Sequence, residues 1–443
     1  MDFISNQEPQ IVEMLRILGV DSIEALFEAI PPRLRVPKPM QDDGISESEG
    51  MAWIESIAQK NTFPSFKSYL GAGAYQHHVP ALVGAITSKS EFLTSYTPYQ
   101  AEASQGMLQA IFEFQSALAA LTGMDVANAS LYDGATACAE AALMALRIHK
   151  ERNKIVLSDA LHPHYQKVIE QYVKPHSGEI HRIPYTNDFQ LDLKAAQTLI
   201  DDKTAAVIVS YPNFLGMIDP VAQVAAHAKT KGALTIVSAN PLVYGLYASA
   251  AEIGADIAVG DAQPFGLSLS YGGPYLGYMA CRQEFVRQLP GRIVGETTDQ
   301  QGRPGFVLTL QAREQHIRRE KATSNICTNQ ALAALAALVA ILWYGKEGIK
   351  QLALTNYQRT AYLKHKLATL PGISIPKSDA HFNEFPVSFG IPAEKVQAHF
   401  RRHGIEPGFH LGPSLPDHFL VAVTELKTQG DLDHYCEVYN GLI

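Results

Sequence analysis

The chain has 443 residues, of which 47% are hydrophobic and 18% are charged, and its formal net charge at pH 7 is -8. A chain of this length and composition can bury a large core and is expected to divide into two or three lobes, which excludes global disorder. The acidic balance, without a long basic run, argues against a nucleic-acid partner.

The N-terminal part is predicted to be a helical arm and linker, residues 1–60. Its first ten residues are partly acidic and contain no apolar run, which fits neither a secretory signal nor a membrane anchor, so we expect a cytoplasmic protein. Helical spacing of apolar residues predicts short helices over 11–18 and 22–30. The polar stretch 37–50, rich in Pro and Gly, is predicted to be a linker.

The middle of the chain is predicted to be a large α/β domain, residues 61–345. A long helix is predicted over 104–121, and short Val- and Ile-rich segments then alternate with helices. This alternation is typical of a mostly parallel sheet covered by helices on both faces. The predicted strands are 126–131, 154–157, 180–183, 205–210, 233–237 and 256–259.

The C-terminal part is predicted to be a small α+β domain, residues 346–443. Long helices over 329–344 and 349–370 lead into it. The tail is predicted to contain strands 385–389 and 419–423 and helices 393–403 and 432–441.

Neither a membrane span nor a metal site is predicted. The most apolar stretch, residues 331–343, is too short to cross a bilayer. The four cysteines are far apart and lack CxxC spacing, which favours reduced thiols over a disulfide framework or a zinc site. These cysteines are Cys138, Cys281, Cys327 and Cys436.

Two strand ends carry residues that could hold a ligand. Residues 131–136 lead through a glycine turn into a helix, and the free N–H groups of such a helix start can bind a phosphate. The alternative is an ordinary turn capped by Asp133 or Thr136. His162 follows the next predicted strand, at the edge where open α/β sheets bind ligands. It could stack on a flat ring, act as a base, or only cap the following helix.

Residues 260–277 are predicted to form a strand end, a glycine-rich turn and a return strand. Enzymes of the aminotransferase fold carry the lysine that binds pyridoxal phosphate (PLP) at this place. Here the sequence has no lysine between Lys231 and Lys321. The strand 233–237 also lacks the terminal acid that normally pairs with the pyridine nitrogen of PLP. The layout is therefore that of a PLP enzyme without the groups that hold and activate the cofactor.

Two loop segments are dense in polar and aromatic residues, and we predict a functional role for both. The first, 94–106, contains Tyr96, Tyr99 and Glu102, while Ser104 within it could be only a helix N-cap. The second, 69–80, is glycine-rich, which implies close backbone approach or positive φ angles.

A further polar segment, 313–329, precedes the predicted helix 329–344. Its charged first half, with Glu314 and Arg318 four residues apart, could be only a solvated helix face. Its second half could present hydroxyl and N–H groups to an anion, or could only cap the next helix through Thr328 or Asn329. The candidate anion-binding residues are Ser324, Asn325 and Thr328.

Taken together, these segments resemble the glycine dehydrogenase (decarboxylating) family, the P-protein of the glycine cleavage system, in its split bacterial form. The resemblance covers nearly the whole chain. The strings that carry it are 71–75, 96–100, 132–136, 260–264 and 318–326. The departures are small: Gln76 and His78 replace an acid and a tyrosine, and Ala101 replaces a proline.

The resemblance implies the fold of PLP-dependent transferases (fold type I) and a subunit without its own cofactor. In an ungapped alignment with the PLP-bearing sister subunit, the Schiff-base lysine falls at Pro264 and the pyridine aspartate falls near Val237. The implied reaction is decarboxylation of glycine with PLP on the partner, the beta subunit, and transfer of an aminomethyl group to the lipoyl arm of H-protein. An α2β2 heterotetramer is expected, with no activity from this chain alone.

In this fold the active site lies between protomers, so the chain is expected to supply groups to the pocket of its partner. The cofactor-proximal candidates are Tyr96, Tyr99, Glu102, His162, Ser324, Asn325 and Thr328. Two alternatives stay open. The chain could be a self-sufficient PLP enzyme that uses Lys321, or a docking subunit that only braces its partner and receives H-protein.

Overall fold

The computed structural model describes residues 6–36, 44–61 and 63–442, which fall into two compact units, Met1–Thr62 and Phe63–Ile443. In the first unit, α1 (Glu8–Leu18) confirms the first predicted helix and ends at Gly19 with φ 68°. The second helix prediction, 22–30, is wrong, because only a 3₁₀ turn forms at Glu24–Phe27. A stretch this short gains little from helix propagation after the cost of nucleation.

A helix that the sequence did not predict, α2 (Glu47–Ala58), occupies part of the predicted linker. The Ser46 hydroxyl accepts a hydrogen bond from the Glu49 N–H (3.3 Å), and the Glu49 carboxylate accepts one from the Ser46 N–H (3.1 Å). This capping box fixes the start of the helix. The linker prediction is therefore wrong over 47–50, and residues 37–43 lie outside the described residues.

A seven-stranded sheet forms the centre of the second unit. After the short β1 (Lys67–Ser68), its strands are β2 (Val126–Ala127), β3 (Lys154–Ser158), β4 (Glu179–Ile183), β5 (Thr204–Tyr211), β6 (Leu234–Ala239), β7 (Ile257–Asp261) and β8 (Gly277–Cys281). The order across the sheet is β2-β8-β7-β6-β5-β3-β4. Strands β3 to β7 pair in parallel, and β8 runs antiparallel to both of its neighbours. The predicted mostly parallel sheet is confirmed.

Helices cover both faces of this sheet. They include α3 (Ala81–Thr87), α4 (Ser90–Leu93), α5 (Gln105–Thr122), α6 (Gly134–Ile148), α7 (Pro163–Val173), α8 (Leu193–Leu199) and α9 (Val221–Thr230). Every residue of β5 is buried, and its side chains alternate between two core clusters, with Val207 and Val209 in one and Ala206 and Ile208 in the other. Burial on both faces explains why the sequence shows continuous apolar runs there.

An antiparallel hairpin that the sequence did not predict follows the sheet. It consists of β9 (Ile293–Thr298) and β10 (Pro304–Thr309). The hairpin packs on α5 through a small apolar cluster that includes Val294 and Leu308. It places the residues just before β9 beside the polar segment 313–329, within which α10 (Gln315–Arg318) is the only α-helix among the described residues.

The C-terminal part confirms the predicted elements. The two predicted long helices are joined as α11 (Ala331–Ala368), with a backbone break at Gly345 (φ 59°, ψ -178°), where the predicted domain boundary falls. After it come β11 (Glu384–Ser388), α12 (Ala393–Arg402), β12 (Ile405–Glu406), β13 (Phe409–His410), β14 (His418–Ala422) and α13 (Gln429–Asn440). A three-stranded sheet of order β11-β14-β13 forms here, and β12 pairs with β1 in parallel.

Among the described residues, α11 is the one helix whose length and composition would suit a membrane span. Leu335, Leu338 and Ile341 of its first half are buried in the main core cluster, and this packing accounts for its apolar composition. Across the described ranges, no group of three or more His, Cys, Asp or Glu residues could hold a metal ion. All four cysteines are free thiols, as predicted, and only Cys327 is exposed.

Candidate functional site

A small cavity lies at the carboxyl edge of the central sheet, where the strand ends were expected to hold a ligand. Ser210 of β5, Ser238 of β6 and Asp261 of β7 contribute to its lining, together with His162 and Pro264. The volume of the cavity is about 60 Å³. Small-molecule sites usually enclose roughly 300–1,000 Å³. The cavity has room for roughly two water molecules.

The start of α6, the predicted phosphate-binding turn, is occupied by two carboxylates of the chain itself. Asp133 accepts a hydrogen bond from the N–H of Thr136 (2.8 Å), and Asp261 accepts one from the N–H of Gly134 (3.2 Å). Asp261 also accepts from the backbone N–H groups of Gln263 (2.9 Å) and Leu276 (3.3 Å). Burial raises the pKa of Asp261 to about 6. The alternative of a capped turn is therefore confirmed for Asp133, and Asp261 is the second occupant.

His162 is the N-cap of α7, as its plainer alternative predicted. Its Nδ1 accepts a hydrogen bond from the N–H of His164 (3.1 Å), so Nε2 carries the proton that it donates to the carbonyl of Ala72 (3.0 Å). Burial lowers the pKa of His162 to about 4, so the ring is neutral at pH 7. The ring stacks on Tyr165, with centroids 4.8 Å apart and planes at 26°. One face of the ring is thus covered by a residue of the same chain.

The residues of this cavity do not fit PLP. Pro264 lines it at the position expected for the lysine. Val237, the position nearest to the expected aspartate, is buried in the core. The helix start that would hold the phosphate is filled, and Tyr165 covers one face of the His162 ring. Lys321, the lysine of the self-sufficient alternative, lies in an exposed 3₁₀ turn and does not line the cavity.

The glycine-rich segment 69–80 closes one side of the cavity. Glu384 of β11 accepts hydrogen bonds from the hydroxyl of Tyr75 and from the N–H of Ala72 (3.0 Å). Burial raises the pKa of Glu384 to about 7. Gly73 adopts φ 103°, and a Cβ there would lie 2.6 Å from Cδ2 of His162. This is the close backbone approach that the glycines implied.

A second carboxylate fixes the far end of the same segment. Glu425 pairs with Nδ1 of His77 (2.9 Å) and accepts a hydrogen bond from the N–H of His78 (2.6 Å). The pKa of Glu425 is about 2, because the interactions with His77 and the backbone outweigh the effect of burial. The segment is therefore anchored to the C-terminal part, and a functional role for it stays a prediction.

The tyrosines of the other loop segment lie at the surface. Tyr96 is 76% exposed and Tyr99 is 49% exposed. Glu102 is also exposed, in a 3₁₀ turn just before α5. Ser104 stands at the N-cap position of α5, but its side chain makes no capping hydrogen bond. The segment is thus available to a partner.

Arg292, which the sequence did not single out, joins this segment to the polar loop 322–330. The side chain is 4% exposed, and its Nη2 donates to the hydroxyl of Tyr99 (2.8 Å) and to the carbonyl of Cys327. The guanidinium also lies over the Tyr99 ring, 5.0 Å from its centroid. Its Nε lies 3.8 Å from a carboxylate oxygen of Glu314. Glu314 is buried, so the interpretation of this residue as part of a solvated helix face is wrong.

The loop 322–330 is held at several further points. The Ser324 hydroxyl accepts a hydrogen bond from the N–H of Ile326 (3.1 Å), and the Cys327 N–H donates to the hydroxyl of Tyr132 (3.2 Å). The Asn329 side chain donates to the hydroxyl of Ser130 (2.9 Å), so it does not cap α11. Gln330 holds the N-cap position of α11, which also rules out Thr328 as the cap. Asn325 is exposed, and Ser324 and Thr328 are half-buried.

The structure therefore divides the predicted site residues into two groups. His162 lies in the cavity. The others lie on the surface segment or the polar loop, which Arg292 connects: Tyr96, Tyr99, Glu102, Ser324, Asn325 and Thr328.

Four residues that build these groups were not among the candidates predicted from the sequence: Asp261, Tyr165, Arg292 and Glu384. Asp261 lies inside the predicted turn segment 260–277, and Tyr165 lies three residues after the candidate His162. The partners of Arg292 and Glu384 are distant in the sequence, and no local pattern marks them.

Comparisons with known proteins agree on one family. Residues 1–439 match the family described as glycine cleavage system P-protein. A relative from Protochlamydia amoebophila (strain UWE25), named probable glycine dehydrogenase (decarboxylating) subunit 1, is 63% identical over 441 residues, which cover 99% of each chain.

Solved structures give the same result. One is described as glycine decarboxylase (P-protein) of the glycine cleavage system in inhibitor-bound form; it superimposes with a TM-score of 0.92 at 38% identity over 100% of both chains. A sphingosine-1-phosphate lyase from Burkholderia pseudomallei K96243 superimposes with a TM-score of 0.68 at 16% identity over 94% of both chains, which shows the fold alone. The fold is that of fold type I PLP-dependent enzymes, as predicted, and the chain belongs to the glycine cleavage system P-protein family as a subunit 1 of glycine decarboxylase.

Proposed function

We propose that this chain is the cofactor-free subunit of a two-chain glycine decarboxylase whose PLP is held by the beta subunit (subunit 2). The complex releases the carboxyl group of glycine as CO2 and transfers the aminomethyl group to the lipoyl arm of H-protein. This is the reaction of a glycine dehydrogenase (aminomethyl-transferring). The proposed assembly is a cytoplasmic α2β2 heterotetramer, and this chain alone is inactive.

The observation that carries this proposal is the state of the chain's own cavity. Its volume is about 60 Å³, Pro264 stands where the lysine is expected, and Asp261 occupies the helix start. A chain that keeps the fold of a PLP enzyme and fills its own cavity in this way depends on another chain for the cofactor. The relatives' designation as subunit 1 supports the existence of such a partner.

The exposed tyrosine segment supplies the groups that this chain contributes. Because Arg292 donates to the oxygen of Tyr99, the hydroxyl proton of Tyr99 remains available for a group presented by the partner. Tyr96, which is more exposed, offers a second hydroxyl, and Glu102 offers a carboxylate nearby. Groups fixed before the partner arrives cost little reorganisation when charge develops in the reaction.

The polar loop supplies the second set of groups. Asn325 and Thr328 present an amide and a hydroxyl group of the kind that bind a phosphate, whereas the Ser324 hydroxyl already interacts with the carboxylate of Glu140. The loop is fixed by Arg292 at the carbonyl of Cys327 and by Tyr132 at its N–H. Donors held in this way can bind an anion on a partner with little loss of conformational entropy.

Co-expression with the candidate beta subunit tests the proposal. Glycine–bicarbonate exchange is measured for each purified chain and for the mixture. We expect exchange only when both chains are present. Exchange by this chain alone would contradict the assignment of PLP to the partner.

The competing function is that of a docking subunit that contributes no groups to the active site of its partner. Tyr96→Phe removes only the hydroxyl of an exposed ring, so assembly should be preserved while exchange falls by roughly 10-fold or more. Tyr271→Phe, at a ring that is 100% exposed and outside both site groups, is the matched control. If both variants kept full exchange activity in an intact complex, the docking function would be favoured.

A further inference from the structure

Residues 314–322, here called the basic loop, form a closed surface loop just before the polar loop. The N–H of Thr323 donates to the carbonyl of Arg313 (3.0 Å), so the two ends of the basic loop meet. Inside it, the short α10 is followed by a 3₁₀ turn at Arg319–Lys321. Compact loops whose ends lie close together are frequently functional. The basic loop is therefore an element with its own shape and not an open connection.

Arg313 fixes the base of the basic loop. Its side chain donates to the carbonyl of Leu289 and to that of Gly291 (2.8 Å). Both carbonyls belong to the turn that leads into Arg292 and β9. Arg292 in turn donates to the carbonyl of Cys327 in the polar loop. The basic loop and the polar loop are thus held by neighbouring residues of one turn, and their positions are coupled.

The exposed face of the basic loop carries an excess of positive charge. Three cations and one acid are exposed there: Arg318, Arg319, Lys321 and Glu320. Glu314, the other acid of the loop, is buried at its base, where its carboxylate lies near Arg292 (3.8 Å) and His316 (3.7 Å). Within the described ranges, none of the three exposed cations forms an ion pair. The face is therefore opposite in sign to the chain as a whole, whose formal net charge is -8.

Arg319 has a backbone conformation that favours glycine. Its φ of 52° and ψ of -122° lie outside the regions that other residues adopt without strain. A glycine at this position would avoid the strain but would remove a positive charge. Strained residues of this kind cluster at sites that bind a ligand or a partner. The basic loop thus presents the guanidinium of Arg319 although this lowers its local stability.

We propose that the basic loop is a docking element that binds an acidic surface on the partner subunit. The inference rests on the proposed function and adds the segment and the chemistry through which the two chains associate. Ile317, which is 52% exposed, adds an apolar contact next to Arg318. Complementary charges guide the association of two chains and fix their register. A loop that is held in place before binding loses little conformational entropy when it docks.

Charge reversal in the basic loop tests the proposal. The two full-length chains are purified separately and mixed, and their dissociation constant is measured at low and at physiological salt. Lys321→Glu should weaken association about tenfold at low salt, and by less at physiological salt because exposed charges are screened. Lys321→Arg keeps the charge and should associate like the wild type. Lys346→Glu is the matched control, because Lys346 is also exposed but lies in α11, outside the basic loop.

A second variant separates docking from folding. Arg319→Gly relieves the backbone strain, so this chain alone should unfold at a temperature no lower than that of the wild type. Its association should nevertheless weaken, because the face loses one of its three cations. A variant with both a lower unfolding temperature and weaker association would mean that Arg319 acts through the fold, which would contradict the proposal.

Failure of the docking element and failure of the proposed function give different results. The docking element is overturned if Lys321→Glu associates like the wild type, loses no more affinity than Lys346→Glu, or loses the same affinity at both salt concentrations. Exchange by the wild-type mixture would be unaffected by that result. If association depends on charge and salt as expected but the mixture performs no glycine–bicarbonate exchange, the proposed function fails and the docking element stands. Wild-type chains that do not associate would overturn both.

Discussion

Arg292 contributes hydrogen bonds to two segments that are far apart in the sequence. Its Nη2 reaches the hydroxyl of Tyr99 and the carbonyl of Cys327, which are 193 and 35 residues away. A planar guanidinium can hold both acceptors in a fixed geometry, whereas a lysine ammonium on a flexible stem cannot. Arg292 is therefore a positioning residue for the two surface segments, and it does not itself reach the solvent-exposed face.

The substitution Arg292→Lys should impair the complex without preventing assembly. Loss of a hydrogen bond from a buried charged group costs roughly 1.5–3 kcal/mol of stability. Because the two segments then lose their fixed positions, exchange activity should fall by roughly tenfold or more. The kcat and KM of glycine–bicarbonate exchange and the size of the complex are the quantities to measure. Adding Tyr99→Phe to this variant should cause little further loss, because the two residues act as a unit.

The control for this prediction is Arg152→Lys. Arg152 also bridges backbone carbonyls, those of Thr204, Lys231 and Gly232, but it lies at the opposite edge of the sheet. Its substitution should leave exchange unchanged. Equal losses in the two variants would mean that Arg292 acts only through general stability.

Glu384 predicts a pH dependence of stability with a defined sign. Its pKa in the folded chain is about 7, above the usual 4.5, so the folded state binds the proton more tightly. The stability that this group contributes is present below about pH 4.5 and is lost as the pH rises through 7. Wild type should therefore lose stability relative to Glu384→Gln between pH 5 and 8, by on the order of 1–3 kcal/mol. Urea unfolding at several pH values measures this difference.

Glu425→Gln is the counterpart with the opposite sign. The pKa of Glu425 is about 2, so its contribution is present above pH 4.5 and is lost only as the pH falls toward 2. Glu425 itself stays ionised from pH 5 to 8, so its own titration adds no pH dependence to the stability difference between wild type and Glu425→Gln over this range. A constant difference for Glu384→Gln over this range would refute the assignment for Glu384.

At the scale of secondary structure, the sequence predicted the elements that have strong local patterns. The central strands are mostly apolar and α5 shows helical periodicity, so their positions were predicted to within a few residues. The hairpin β9–β10 was missed because its residues are mixed in character and it lies outside the central sheet. The helix α2 was missed even though its capping pair, Ser46 and Glu49, is visible in the sequence.

The sequence predicted the fold more completely than it predicted the site. The segments around Tyr96 and Ser324 were identified because they are dense in polar residues. Their connection through Arg292, and the contact between Asp261 and Gly134 across 127 residues, depend on the tertiary fold and leave no local pattern.

The break in α11 at Gly345 gives a prediction at the same scale. Its φ of 59° and ψ of -178° belong to a region that is nearly exclusive to glycine, and a Cβ there would meet no atom within 4 Å. Gly345→Ala should therefore destabilise the chain through backbone strain alone, by about 1–3 kcal/mol.

Gly84→Ala is the matched control for Gly345→Ala. Gly84 lies within α3, and its Cβ position is also open. Alanine there should stabilise the chain by about 0.5–1 kcal/mol, because helix propensity is the only effect. The stability of both variants is measured by thermal unfolding. A Gly345→Ala variant as stable as Gly84→Ala would contradict the predicted backbone strain at Gly345.

The whole molecule separates two functions that a single-chain PLP enzyme combines. The cavity that would hold a cofactor is filled by Asp261 and Tyr165 and measures about 60 Å³. The surface proposed to meet the partner has two exposed tyrosines and a polar loop. The buried Arg292 donates hydrogen bonds to Tyr99 and to the loop. These two properties together support a division of labour between two chains.

The most direct test of this division is to locate the cofactor in the assembled complex. Borohydride reduction fixes PLP to the lysine that holds it, and mass spectrometry of the separated chains then identifies the carrier. We expect a phosphopyridoxyl group on the partner and none on this chain. A phosphopyridoxyl group on Lys321 or on any other lysine of this chain would contradict it.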